Sequence, residues 1–127
     1  MNKGKIAKQI DNKWRDYVLL KAEYRCEICG KEAGVVHHLV FKSESKKLRF
    51  NEKNLIPLCS SCHSKFHLFG GKLKRRMELA LINKRGLKWA NYLEITRKRP
   101  TEQSFWTVAY LKKQERKIDK LSTVDRR

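Results

Sequence analysis

The sequence predicts an α+β fold, a small metal-organised middle flanked by N-terminal and C-terminal α-helices. Three observations predict it. All four cysteines (Cys26, Cys29, Cys59, Cys62) and all four histidines (His37, His38, His63, His67) of the 127-residue chain fall between positions 26 and 67. That same stretch contains two short apolar runs of strand character, VVHHLVF at 35–41 and LIPL at 55–58. On either side of it, apolar residues recur at helical spacing.

In chain order, residues 1–10 read as basic and loose. A helix is expected over 11–24, because Trp14, Tyr17, Val18 and Ala22 share one face and Asp11 or Asn12 can cap it. Cys26-Glu27-Ile28-Cys29-Gly30 reads as a metal knuckle, with Gly30 free to adopt positive φ. The strand at 35–41 follows. Residues 42–53 are polar and loop-like, with Leu48 and Phe50 plugging the loop from beneath. The second apolar run is short, and Pro57 limits its pairing. Ser60 or Ser61 then starts a helix that Gly70-Gly71 ends. Leu73, Met77, Ala80 and Leu81 mark the next helix, closed by Gly86. Trp89, Tyr92, Leu93 and Thr96 mark another, closed before Pro100. Phe105, Val108, Leu111, Ile118 and Leu121 mark the last. The length suits one domain over 1–127, divided into the helix at 11–24, a core at 26–69 and a basic helical extension at 72–122.

The charge is +18, from 31 Lys and Arg against 13 Asp and Glu, and a chain this basic calls for a polyanionic partner. Residues 72–99 carry ten basic residues against Glu78 and Glu94. Within them, Lys72, Lys74, Arg75 and Arg76, and then Arg97, Lys98 and Arg99, are the candidates for phosphate contact. Arg49, Lys53 and Lys65 lie near the histidines in sequence and could touch phosphate without a catalytic role. Trp89, Tyr92 and Trp106 could stack on bases, but aromatics at helical spacing are core residues first. The N-terminus has no apolar leader, and nothing approaches a membrane-spanning run of ~20 apolar residues. The expectation is therefore a soluble, cytoplasmic protein without a membrane partner, in which paired cysteines hold metal in preference to disulfides.

Two residues between thiols is the spacing that brings both sulfurs to one tetrahedral zinc. Cys26/Cys29 and Cys59/Cys62 therefore form a four-cysteine structural site enclosing the 29 residues between its knuckles. A metal coupled to folding also supplies stability that a small core lacks. His63 and His67, four apart on the expected helix, face the same way. His37 and His38 are neighbours on a strand and face opposite ways. His37, His63 and His67 could thus share a second ion with open positions, as catalytic sites do. A second arrangement stays open at this level: one zinc held by Cys59, Cys62, His67 and a cysteine of the first knuckle, with the other histidines structural.

The string C-x2-C, HH, N, L-C-x2-C-H-x3-H resembles the HNH endonuclease family in its zinc-finger-bearing form. Fifteen residues separate His38 from Asn54, eight separate Asn54 from His63, and three separate His63 from His67. The resemblance covers 26–67 and implies a ββα-metal (His-Me finger) core, a two-stranded hairpin and a helix around one divalent ion. Position by position, it implies that His38 is the general base, Asn54 the residue bracing the loop that orients it, and His63 a metal ligand. His67 matches a further ligand found in some members. His37 stands where many members carry an aspartate; an aspartate there favours hard Mg²⁺, whereas three imidazoles suit Zn²⁺, Ni²⁺, Co²⁺ or Mn²⁺ better, with Mg²⁺ staying open. The segment LRFNEKN at 48–54 is also similar to HNH nucleases of phage recombination functions.

The implied function is a metal-dependent endonuclease of phage or mobile-element type that nicks DNA or acts on a particular DNA structure. Its substrate would be duplex or branched DNA, with RNA open and monomer against dimer undecided. The alternatives are a non-catalytic zinc-finger nucleic-acid-binding module and a structural zinc protein of a ribonucleoprotein.

Overall fold

The computed structural model describes residues 2–68, 70–100 and 105–125. Residue 69 and residues 101–104, which belong to the expected core and extension, lie outside the described residues. Helix α1 spans Lys3–Lys21, β1 Val35–His38, β2 Leu55–Leu58, α2 Ser60–Leu68, α3 Gly70–Arg85, α4 Leu87–Lys98 and α5 Val108–Asp125. A 3₁₀ turn, Glu52–Asn54, leads into β2. The architecture is α+β, with a ββα unit at its centre and helices on both sides.

The first helix departs from its expected bounds. It begins at Lys3, where Asn2 Oδ1 accepts from the backbone N–H groups of Gly4 (2.8 Å) and Lys5 (3.4 Å). Asn2 is thus the cap, and Asp11 and Asn12 sit mid-helix. The cause is tertiary: Ile6, Ala7 and Ile10 extend the stripe of Trp14, Tyr17 and Val18 and bury it in one cluster with Leu111 and Ile118 of α5. Helix stability comes mostly from such packing, so residues 3–10 are ordered by a partner helix a hundred positions away. Beyond the Ala22 cap, Glu23 and Tyr24 take left-handed φ (55° and 57°), and the Tyr24 N–H closes onto the Leu19 carbonyl at 2.8 Å. The chain thereby reverses into the first knuckle.

β1 and β2 pair antiparallel, with Val35 opposite Leu58, Val36 opposite Pro57, His37 opposite Ile56 and His38 opposite Leu55. β1 is shorter than expected and stops at His38, so 39–41 belong to the connection. Pro57 cannot donate, but its carbonyl accepts from Glu27 N–H at 2.9 Å, and Gly34 N–H reaches Leu58 O at 3.3 Å. These bonds fasten the first knuckle to β2.

The pleat sends the two sheet faces to two cores. Ile56 and Leu58 join Leu48, Phe66, Met77, Leu81, Trp89 and Leu93 on the side of α2, α3 and α4. Leu55 joins Trp14, Phe50, Leu111 and Ile118 on the side of α1 and α5. Leu48 (0% exposed) and Phe50 (3%) plug the loop as expected. Gly71 (φ 58°, ψ −129°) breaks the path between α2 and α3, and Gly86 (φ 97°) separates α3 from α4. Both angles suit glycine because a Cβ would be strained there. No described helix is long and apolar enough to cross a membrane.

Candidate active site

The four cysteines converge. Their sulfurs all lie within 4.8 Å of one another, with Cys29 Sγ 3.6 Å from Cys59 Sγ. A tetrahedral zinc with Zn–S of ~2.3 Å sets its sulfurs about 3.8 Å apart, so the set fits zinc, whereas a disulfide needs about 2.05 Å. Each knuckle is locally built. Gly30 N–H bonds Cys26 O (2.9 Å), Cys26 N–H bonds Lys31 O (2.7 Å), and in the second knuckle Cys62 N–H points to Cys59 Sγ (3.4 Å). Burial works against the Cys26 thiolate, but backbone groups of Cys29, Cys59 and Ile28 bring its pKa down to about 7. The cluster suits a structural zinc that ties the start of the hairpin to the start of α2.

The histidines divide as the strand pleat requires. His37 (4% exposed) faces α2, and its donor atoms and those of His63 and His67 all lie within 4.8 Å of one another. His63 Nε2 and His67 Nε2 are 3.1 Å apart. Three imidazoles around a ~2.0–2.1 Å metal stand at about this spacing, so the triad fits a borderline divalent ion with positions to spare. The single-zinc alternative that would take His67 into the cysteine cluster is not the arrangement found. Phe66 stacks on His37 (centroids 4.8 Å) and Phe41 on His67 (5.8 Å), fixing both rings. Burial, reinforced by the neighbouring His63 and His67, pulls the His37 pKa down to about 3. Burial, followed by His67, also lowers that of His63. Both are therefore neutral near pH 7, with lone pairs available to a cation.

His38 lies on the opposite strand face, half-buried, with Nε2 2.9 Å from the backbone oxygen of Arg49. A carbonyl only accepts, so Nε2 carries the proton and Nδ1 the lone pair. Burial lowers the His38 pKa, against a smaller opposing effect of the Arg49 carbonyl.

Asn54 is fully buried at the mouth of β2. Its Oδ1 accepts from Val40 N–H (2.7 Å), and its Nδ2 donates to Val40 O (2.9 Å) and Leu48 O (3.2 Å). One amide thus closes the loop that carries the Arg49 carbonyl. The turn bearing Asn54 is itself held from outside. Trp89 Nε1 donates to Lys53 O (2.6 Å), and Arg85 reaches Lys53 O and Leu55 O while its guanidinium pairs with Glu27 (2.6 Å). Trp89 is core, as expected. Tyr92 hydrogen-bonds Asn51 (2.7 Å), and Trp106 stacks on Phe50 (5.7 Å).

The two histidine sets share a cleft of about 700 Å³, also lined by Asp11, Asn12 and Arg15 of α1 and by Lys42 and Ser43. Sequence reasoning missed this wall, because it treated Asp11 and Asn12 as a helix cap.

Of the basic candidates, Lys74 is brought to the site, with its Nζ 5.7 Å from the centroid of the Phe41 ring that stacks on His67. Lys72, Arg75, Arg76 and Arg99 are exposed. Arg97 and Lys98 are exposed but engaged, both with Glu94 and Arg97 also with Glu44. Arg97 shares a groove of about 250 Å³ with Lys74.

Residues 26–68 match the family model described as HNH endonuclease. A 46-residue stretch is 54% identical to the mitochondrial DNA mismatch repair protein mutS homolog of Sarcophyton glaucum. That match covers 33% of this chain and 5% of the relative's length. No solved structure is significantly similar. The segment that folds into the hairpin, its loop and α2 is thus the part of the chain that matches the HNH endonuclease family.

Proposed function

We propose that the chain is a metal-dependent endonuclease that hydrolyses DNA phosphodiester bonds, with His38 as base and His37, His63 and His67 as ligands of the working ion. The observation that carries this reading is the combination of a three-imidazole cluster with a separate histidine in the same cleft, held in one tautomer by the Arg49 carbonyl. A structural zinc site alone needs neither. His38 Nδ1 takes a proton from the attacking water, and its lowered pKa keeps it neutral near pH 7. Asn54 holds the loop so that the base does not turn. The ion, when bound, supplies Lewis-acid stabilisation of the phosphate and the leaving oxygen. The imidazole donors favour Zn²⁺, Ni²⁺ or Mn²⁺ over Mg²⁺.

Lys72, Lys74, Arg75 and Arg76 meet the backbone beside the cleft, with Arg97, Lys98 and Arg99 further along, giving affinity with little sequence readout. DNA as substrate is in keeping with the matching relative, whose name refers to DNA mismatch repair; the nicking or structure-acting mode is what the plasmid assay reads.

The test is supercoiled-plasmid nicking by zinc-loaded protein with Mg²⁺, Mn²⁺, Ni²⁺ or Zn²⁺, set against His38→Ala. The expected loss is about 10²–10⁴ in rate, with the fold unchanged by circular dichroism. No cutting with any ion, or equal cutting by the variant, returns the chain to a non-catalytic nucleic-acid-binding module.

A further inference from the structure

The loop that orients His38 is held on its inner side by Asn54. On its outer side it is held from α1, outside the segment that matches the family. Asp11 Oδ2 accepts from Arg49 Nη2 at 2.7 Å, and Asp11 Oδ1 accepts from Arg49 Nε at 3.2 Å. Lys42 Nζ reaches the same carboxylate at 3.1 Å. The pair is largely shielded, with 12% of the Asp11 side chain and 21% of the Arg49 side chain exposed. A two-pronged guanidinium–carboxylate contact fixes orientation as well as distance. The residue so clamped is the one whose backbone oxygen accepts from His38. Leu48 and Phe50 on either side are buried, and the Arg49 guanidinium also lies over the Phe50 and Trp106 rings (5.5 and 5.6 Å). The Asp11 carboxylate, however, is the partner that hydrogen-bonds the guanidinium, and the Arg49 N–H makes only a long turn bond to Lys46 O (3.3 Å).

We propose that Asp11 is a positioning residue for His38, fixing the Arg49 carbonyl through the Arg49 side chain and so holding the imidazole with Nε2–H inward and Nδ1 as the free nitrogen. The proposal rests on the reading of His38 as the base. Its physical weight is that a displacement of about 1 Å in a reacting group is enough to cost up to about 10²-fold in rate. Through this contact α1 becomes part of the site, and the segment 26–68 alone lacks this hold on its base.

The experiment uses the full zinc-loaded chain with Asp11→Ala and Asp11→Asn, each made alone and with His38→Ala. ¹⁵N NMR of the imidazole nitrogens reports the His38 tautomer, and plasmid nicking gives kcat and KM. The expected result is a single Nε2–H tautomer in wild type and a mixture in Asp11→Ala. kcat should fall about 10- to 100-fold, with KM within about twofold. Asp11→Asn keeps an oxygen acceptor and should lie between; it also serves if Asp11→Ala does not fold. In the His38→Ala background the Asp11 change should cost nothing further, because the group it positions is gone. An unchanged His38 signal in Asp11→Ala, or an equal loss of rate in both backgrounds, overturns the proposal and leaves a plain structural ion pair. A wild type that cuts with no ion, while the His38 signal still responds to Asp11, overturns the nuclease reading and not the positioning.

Discussion

Asn54→Ala is the most informative single perturbation of the site, because the structure sets its magnitude. The amide is 0% exposed and satisfies three backbone groups, Val40 N–H, Val40 C=O and Leu48 C=O, on residues that are themselves buried. Truncation leaves both Val40 groups unpaired, while Leu48 O keeps the Asn51 N–H at 3.3 Å. At the low end of the penalty for an unsatisfied buried group, about 1 kcal/mol each, the loss is about 2 kcal/mol. That is a substantial fraction of a typical stability of about 5–15 kcal/mol and corresponds to roughly 8 °C in Tm for a chain of this size. Asn54→Asp should be no milder, since it sets a carboxylate oxygen against the Val40 and Leu48 carbonyls. The assay is urea denaturation of zinc-saturated protein followed by tryptophan fluorescence, with nicking measured at a temperature where the variant is still folded. A loss under about 1 kcal/mol, or full nicking activity by folded Asn54→Ala, would refute the argument that this amide holds the loop behind His38.

Cys29→Ser should lower bound zinc well below one per chain and remove the cooperative melt, because Cys29 joins the first knuckle to Cys59 across 3.6 Å; zinc analysis by mass spectrometry together with calorimetry checks it, and a normal melt would count against the zinc site. On the proposed reading, His67→Ala removes an exposed candidate ligand and should leave the fold intact while weakening binding of a second divalent ion by more than the roughly 10- to 100-fold typical of losing an outer-shell partner, read by metal titration. The nicking rate should hold near pH 7 and fall as pH drops below 6.5, because burial lowers the His38 pKa and imidazolium forms only in more acid solution; an acid limb centred above pH 7 would contradict this. Changing Lys72, Arg75 and Arg76 together to Ala should flatten the slope of log K against log salt by about 2–3 if each meets a phosphate, measured by anisotropy on a duplex; an unchanged slope would place the DNA elsewhere.

Much of the site was legible in the sequence because its rules are local. Two residues between thiols is a spacing that metal geometry imposes on a short turn, so Cys26/Cys29 and Cys59/Cys62 could be paired without knowing the fold. The four-residue interval of His63 and His67 on a helix, and the pleat that parts His37 from His38, are equally local, and the structure places those side chains accordingly. The glycine breaks at Gly71 and Gly86 follow from backbone sterics alone.

Only the tertiary structure decided what depends on distant partners. Helix α1 starts at Lys3 because α5 covers Ile6, Ala7 and Ile10, and no cap signal near Asp11 could reveal that. The same packing turns Asp11 away from a capping role and toward Arg49, 38 positions along the chain. The tautomer of His38 likewise hangs on a carbonyl whose position is set by Asn54, Arg49 and α1 together. Ligand spacing is determined by bond geometry over a few residues and can be read from the chain. The orientation of a base is determined by what packs behind it, which only folding brings there.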